Sequence, residues 1–409
     1  MSTIRPFEAL RPARDKAASI ACAPYDVVYE SEAREQIARN PETFLRVTRP
    51  EADMPPGVDA NSQEAFEKGR ENLREFMDQG LLSIDDEEAI YVYQLAAGEQ
   101  VQTGVVACCS IDEYEQGTIK RHEKTRPDKV ADRTGHMVTV GAQTGLVFLA
   151  FRGTDRTREL ISQTIEGEPL YDFVADGVRQ RVWRSTNTAS WVNAFQQVPA
   201  IYIADGHHRV ESARLAREQL RERNPAHTGD EAYNYVIAGI FPAEDLKILP
   251  YNRVVKDLNG LSREQFLDRL GASFAVKGSG GVKVPDNRGE MCMYVDGEWY
   301  HLRFTGDRDG LDAIGGLDVS ILHDNILAPI LGIGDVRTDP RIAFVGGKRG
   351  TEELEKMVDE NGGVAFSMFA TTMDDLLAVS DAGEIMPPKS TWFEPKLKDG
   401  LLVHMIDNG

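Results

Sequence analysis

The 409-residue chain carries 46 Lys and Arg against 66 Asp and Glu, a formal net charge of −20. That balance argues against a dedicated nucleic-acid binder, whose affinity rests on phosphate contacts, but leaves open a small anion held in a local basic pocket. With 41% hydrophobic and 27% charged residues, the composition is that of an ordinary globular protein with room for two or three domains.

In chain order, Ala23-Pro24-Tyr25-Asp26-Val27 reads as a turn leading into a helix capped near Ser31. A loop rich in proline and aspartate (53–59) precedes an amphipathic helix from about Ser62 to Gln79, closed by Gly80. Ala89–Leu95 and Thr103–Ile111 read as a hairpin around Ala97-Gly98-Glu99. Thr125, Pro127 and Asp128 together signal a helix start. A strand at Gly145–Phe151, a helix near Asp155–Thr164 and a hairpin at Ala175-Asp176-Gly177 lead to a buried strand, Val198–Ala204. The longest apolar run, about Gly145 to Phe151, is too short to span a bilayer.

The next helix, Val210–Arg223, repeats Val210, Ala213, Ala216 and Leu220 at helical spacing and stops before Asn224-Pro225. Strands follow at Asn234–Ile240 and Ile248–Val255, then a helix at Ser262–Leu270 and a hairpin turning at Asp296-Gly297. Ile342–Val345, Thr351–Glu360, Val364–Met368 and Met373–Val379 alternate strand and helix, as a small α/β unit would. Hairpins mixed with helices predict an α+β fold, divided as 1–88, 89–258 and 259–409. The four cysteines have neither metal-ligand nor disulfide-framework spacing and read as buried free thiols. No basic, apolar signal pattern opens the sequence, so a cytoplasmic protein is expected, with no membrane or nucleic-acid partner and a homo-oligomer allowed.

The strongest candidate site is Asp205-Gly206-His207-His208-Arg209, set between the buried strand and the helix. Backbone N–H groups at a helix start lack intrahelical partners. With the helix dipole and Arg209 they would suit an anion, most naturally phosphate. Asp205 would order the turn or help hold Mg²⁺, an ion that needs few protein ligands when a nucleotide supplies phosphates. Adjacent His207 and His208 diverge by about 100° on a helix and do not suit one zinc ion. The second candidate is His122-Glu123-Lys124, joined by Arg133: a carboxylate among cations that could take a proton from a hydroxyl. Arg46, Arg49, Arg253 and Lys389 are further candidate clamps for a substrate anion. Val345-Gly346-Gly347-Lys348-Arg349-Gly350-Thr351 departs from the P-loop pattern and reads as a strand-to-helix connection.

Ala23-Pro24-Tyr25-Asp26-Val27, Arg46-Val47-Thr48-Arg49-Pro50, His122-Glu123-Lys124-Thr125, Tyr202 to Arg209 and Pro387-Pro388-Lys389-Ser390-Thr391 together resemble the domain-of-unknown-function 1015 family over nearly the whole chain. Ala23 departs from the pattern, where a second proline is expected. The Asp-Gly-His-His-Arg turn also resembles the phosphate-binding signature of the ParB/sulfiredoxin-like superfamily and, within it, the turn of free serine kinases. That resemblance implies a ParB-like central nucleotide-binding domain flanked by mixed α/β segments. It implies ADP or ATP as the nucleotide cofactor, and phosphoryl transfer to or from a small hydroxy amino acid, serine and phosphoserine foremost. Glu123 is then the expected base and Asp26 its rival, with His122 beside them and Lys124 and Arg133 neutralising the transferred group. A ParB-like nucleotide hydrolase and a non-catalytic nucleotide sensor are the alternatives.

Overall fold

In the computed structural model, which describes residues 2–308 and 310–407, packing divides the chain into two units. Residues 1–121, 125–246 and 395–409 make the first; residues 122–124 and 247–394 make the second. The sequence pattern predicts three segments, 1–88, 89–258 and 259–409. Phe7 pairs with Ala89 and Leu10 with Val403, so residues 1–88 and the C-terminal tail belong to the first unit's framework.

The first unit is built on a nine-stranded sheet. Its strands are β1 (Ile4–Arg5), β2 (Ile90–Ala97), β3 (Gln100–Ser110), β4 (Ile119–Lys120), β5 (Val147–Phe151), β6 (Tyr171–Ala175), β7 (Val178–Ser185), β8 (Ile201–Asp205) and β9 (Tyr235–Pro242). The order is β4-β8-β5-β9-β3-β2-β7-β6, with β1 on the end of β3. β4 runs parallel to β8 and β9 parallel to β5, and the other pairs are antiparallel. The β6–β7 hairpin turns at Asp176 and Gly177, both with positive φ (52° and 76°), the backbone that a two-residue turn between twisted strands requires.

The longer helices of this unit are α1 (Gln63–Asp78), α2 (Pro127–Val140), α3 (Asp155–Ile165), α4 (Thr188–Phe195) and α5 (His207–Arg223); α1 packs on α2, its Leu73 and Phe76 sharing a second core cluster with Val140. The Ser62 side chain caps α1 by accepting from the Ala65 N–H, while Pro127 opens α2 and left-handed Gly141 closes it. Val105, Ala107, Val147, Leu149, Ile201 and Ile203 meet the α5 face of Val210, Ala213 and Ala216 in one buried cluster. The strand expected at 198–204 starts at Ile201, the first residue to pair with a neighbouring strand, at Ile119; residues 198–200 link it to the end of α4, whose Trp191 and Phe195 are buried.

The second unit holds a six-stranded, wholly antiparallel sheet, so the α/β unit expected toward the C-terminus is an α+β one. Its strands are β10 (Tyr251–Val255), β11 (Phe274–Gly278), β12 (Glu290–Val295), β13 (Glu298–Phe304), β14 (Ile342–Gly346) and β15 (Val364–Met368), in the order β11-β13-β12-β15-β10-β14. The helices are α6 (Arg263–Leu270), α7 (Asp318–Leu322), α8 (Gly350–Asn361) and α9 (Met373–Asp381). A π-helical turn, His323–Leu327, continues α7 and was not foreseen. Gly347–Arg349 is the short connection from β14 to α8, as the sequence suggested. The α+β class expected for the chain is the class observed. All four cysteines are free and buried. No helix among the described residues is long and apolar enough to cross a membrane.

Candidate functional site

β8 extends through Asp205 and α5 begins at His207, so Gly206 alone makes the turn. It does so at φ 96°, a left-handed conformation that side-chained residues adopt only under strain. The predicted helix start at Val210 is therefore three residues late: His207, His208 and Arg209 form the first turn of α5. Val210 N–H donates to the Gly206 carbonyl at 3.1 Å, which fixes that turn as helical.

Arg209 turns inward and is only 8% exposed. Its guanidinium donates to the Leu146 carbonyl and lies 3.5 Å from Asp26 and 3.8 Å from Asp205. Burial opposes its charge, but Asp26, Asp205 and Asp399 outweigh that and hold it protonated. Its buried Nε has no hydrogen-bond partner among the described residues. Arg209 thus ties the turn to β5 and to the Pro24-Tyr25-Asp26 segment.

The Asp205 carboxylate takes a 2.9 Å hydrogen bond from Lys396 Nζ. Burial would raise its pKa, yet the charges of Lys396 and Arg209 hold it well below the usual carboxylate range. With two cations already on it, Asp205 is not a preformed cation ligand. Among the described residues no group of three or more His, Cys, Asp or Glu is placed to hold a metal ion. The donor set therefore does not fit the Mg²⁺ role expected of Asp205.

His208 Nε2 accepts the Arg126 N–H at 3.0 Å, joining the start of α5 to the start of α2. The Arg133 guanidinium on α2 pairs with Asp132 at 2.9 Å and lies 4.2 Å from the Tyr25 ring centroid. Beneath these groups lies a cavity of about 30 Å³, room for one water, lined by Tyr25, Arg133, His136, Gly145, Arg209 and Asp399 among others.

Asp399 is 3% exposed. Burial, reinforced by Asp26, pushes its carboxyl up to about 7, with Arg209 pulling the other way. Neither Lys396 nor Asp399 was singled out from the sequence. Each is an ordinary charged residue in the tail, Lys396 lying 191 positions from Asp205 and Asp399 further still from its hydrogen-bonded neighbour Cys22, so no local pattern marks either.

The remaining candidates have other places. Arg46 is clamped by Asp53 (2.9 Å) and Glu75 (2.8 Å). Arg49 pairs with Glu51 (2.6 Å) and donates to the carbonyls of Tyr25 and Val28. Both arginines are thus tied to neighbouring segments of the first unit. His122, Glu123 and Lys124 pack with the second unit. There the buried His122 accepts the Met386 N–H at 2.8 Å through its carbonyl, and its Nε2 lies 3.4 Å from Thr391 Oγ1. The His-Glu-Lys-Thr and Pro-Pro-Lys-Ser-Thr motifs thus meet, with Lys389 Nζ 5.5 Å from the Tyr251 ring centroid and the Lys389 carbonyl accepting from Arg253.

The family described as "Protein of unknown function (DUF1015)" matches residues 4–320. No curated protein matches the chain. Similar solved structures include a free serine kinase mutant in complex with AMP, 14% identical over 73% of this chain and 92% of that one, with a TM-score of 0.37. A conserved hypothetical protein from Pyrococcus furiosus is 15% identical over 76% and 98%, with a TM-score of 0.35. SbnI from Staphylococcus aureus, truncated at its C-terminus, is 11% identical over 73% and 87%, with a TM-score of 0.39.

Proposed function

The chain belongs to the DUF1015 family, whose description gives no function, and on that premise we propose one from the site. The first unit binds the phosphates of ADP or ATP at the Gly206 end of α5, and the protein transfers a phosphoryl group between that nucleotide and a small hydroxy amino acid, serine with phosphoserine. The supporting observation is the left-handed Gly206 at the start of a 17-residue helix, braced from below by buried Arg209 and from the side by Lys396 on Asp205.

Such a turn presents backbone N–H groups and the positive end of the helix dipole without the obstruction of a Cβ. In this reading phosphate contacts fall to the first-turn backbone with His207 and His208, and Arg209 positions them. The likeness of the Asp-Gly-His-His-Arg turn to that of ParB-like free serine kinases supports the same ligand. Catalysis is then mainly positioning and charge neutralisation. The base takes the proton of the serine hydroxyl as its oxygen attacks the terminal phosphorus, and the nucleotide leaves one phosphate shorter. Glu123 is assigned that task and Lys124 the adjacent charge. Asp26 is the second candidate, favoured by its place 3.5 Å from Arg209.

Titration calorimetry with ADP, ATP and CTP, followed by phosphorus NMR of nucleotide mixed with serine, tests the reading. An adenine nucleotide should bind, and phosphoserine should appear only when serine is present. Glu123→Gln should stop transfer with nucleotide binding intact; loss only in Asp26→Asn would exchange the two roles. Phosphate release without serine would make the protein a hydrolase, and binding without turnover a sensor. Absence of binding by every nucleotide would remove the proposal.

A further inference from the structure

The second unit holds a half-open cavity of about 440 Å³, within the size range of small-molecule sites. Val319, Leu327, Phe344, Pro387 and Pro388 supply apolar wall, and Arg253, Ser320 and His323 supply polar groups. Arg253 stands on β10 directly across from Phe344 on β14, its guanidinium 5.4 Å from that ring centroid.

Arg253 is 3% exposed. Its guanidinium donates to the backbone carbonyls of Tyr251 and, at 3.1 Å, Lys389. Among the described residues no carboxylate pairs with it. Asp324 and Asp335 line the same cavity from exposed positions, and neither comes within ion-pair distance of it. A buried cation without a counter-ion is costly, and burial here pushes the guanidinium down to about 9.

Two further atoms tell the same story. Ser320 Oγ, on a residue 5% exposed, and His323 Nδ1 are buried without hydrogen-bond partners among the described residues. They lie where α7 widens into the π-helical turn, with Ala328 N–H donating to the His323 carbonyl five residues back at 2.9 Å. π-turns cost stability and recur at functional sites.

A missing counter-charge, two unmet polar atoms and an apolar wall specify one kind of occupant. We propose that this cavity binds a small organic anion, a carboxylate or phosphate monoester, with its charged head against Arg253, Ser320 and His323 and an apolar body on Phe344, Pro387 and Pro388. The site is independent of the nucleotide reading of the first unit.

The test uses the full-length protein and three probes of one body: benzoate, phenyl phosphate and neutral benzyl alcohol, each titrated by calorimetry. At least one anion should bind saturably with benzyl alcohol inert, and which anion does so separates the carboxylate from the phosphate source. Arg253→Gln should weaken that binding by about tenfold or more, as loss of a charge-assisted contact does. Should that variant fold poorly, Ser320→Ala deletes one hydroxyl only and should weaken binding severalfold. Failure of both anions to bind, equal binding of the alcohol, or affinity unchanged in the folded variants would overturn the proposal.

Discussion

Asp399 and two histidines give the first unit opposing responses to pH. Asp399 is neutral in both folded and unfolded chains below about pH 4. Between about 4 and about 7 the unfolded chain ionises first, because burial raises the folded carboxyl to about 7. Stability therefore falls as pH rises through that window, and the full cost, at most about 4 kcal/mol, is present above it. Asp399→Asn keeps an acceptor for the Tyr25 N–H, and melting curves should show it more stable than wild type at pH 8 and level at pH 4. His136 and His404 act in the other sense. Burial, the largest cause for both, depresses them to about 3 and about 4, and each ring faces a backbone carbonyl, that of Val47 or Ala232. Their stabilising contribution is present above about pH 6.5 and is lost as the pH falls toward those folded values, because the unfolded chain takes the protons first. Acid titration of His136→Gln/His404→Gln should give an unfolding midpoint at lower pH than wild type.

At the scale of elements, two glycines separate local strain from packing. Gly206→Ala meets no atom closer than 3.5 Å, so its cost is that of the left-handed backbone, about 1–2 kcal/mol. Thermal melts should show a folded, modestly weakened protein, and nucleotide affinity should fall with it if the turn holds phosphate. Gly104 on β3 has an ordinary backbone but lies against the Phe241 ring of β9, where a new Cβ would sit 2.5 Å from a ring carbon. Gly104→Ala must push apart two central strands, an overpacking cost of about 1–3 kcal/mol or more. A melting point no lower than that of Gly206→Ala would show that the strands yield more easily than this packing implies.

For the whole molecule, the decisive feature is the return of the C-terminal tail to the first unit. Lys396 and Asp399 complete the site. Val403 bridges Leu10, His404 pairs with Gln143, and Ile406 enters the main core cluster. Deletion of residues 395–409 should consequently abolish cooperative unfolding of the first unit, read by amide exchange in β5 and β8. Protection of those strands equal to that of the full chain would show the tail to be dispensable.

Periodicity and turn chemistry determined most elements. The Ser62 cap and Gly80, the hairpins at Gly98, Asp176-Gly177 and Asp296-Gly297, and the strand-to-helix passage at Gly206 each act over a few residues, so the chain carries them locally. The family, too, was legible in motifs read in order. Tertiary structure alone decided that residues 1–88 pack with the first unit, that Arg46 and Arg49 pair with nearby carboxylates, and that Arg209 turns inward. It alone brought Lys396 to Asp205 and left Arg253 buried without a carboxylate. A charged side chain has no periodicity, and its role is set by burial and by whichever opposite charge a distant segment brings within about 4 Å.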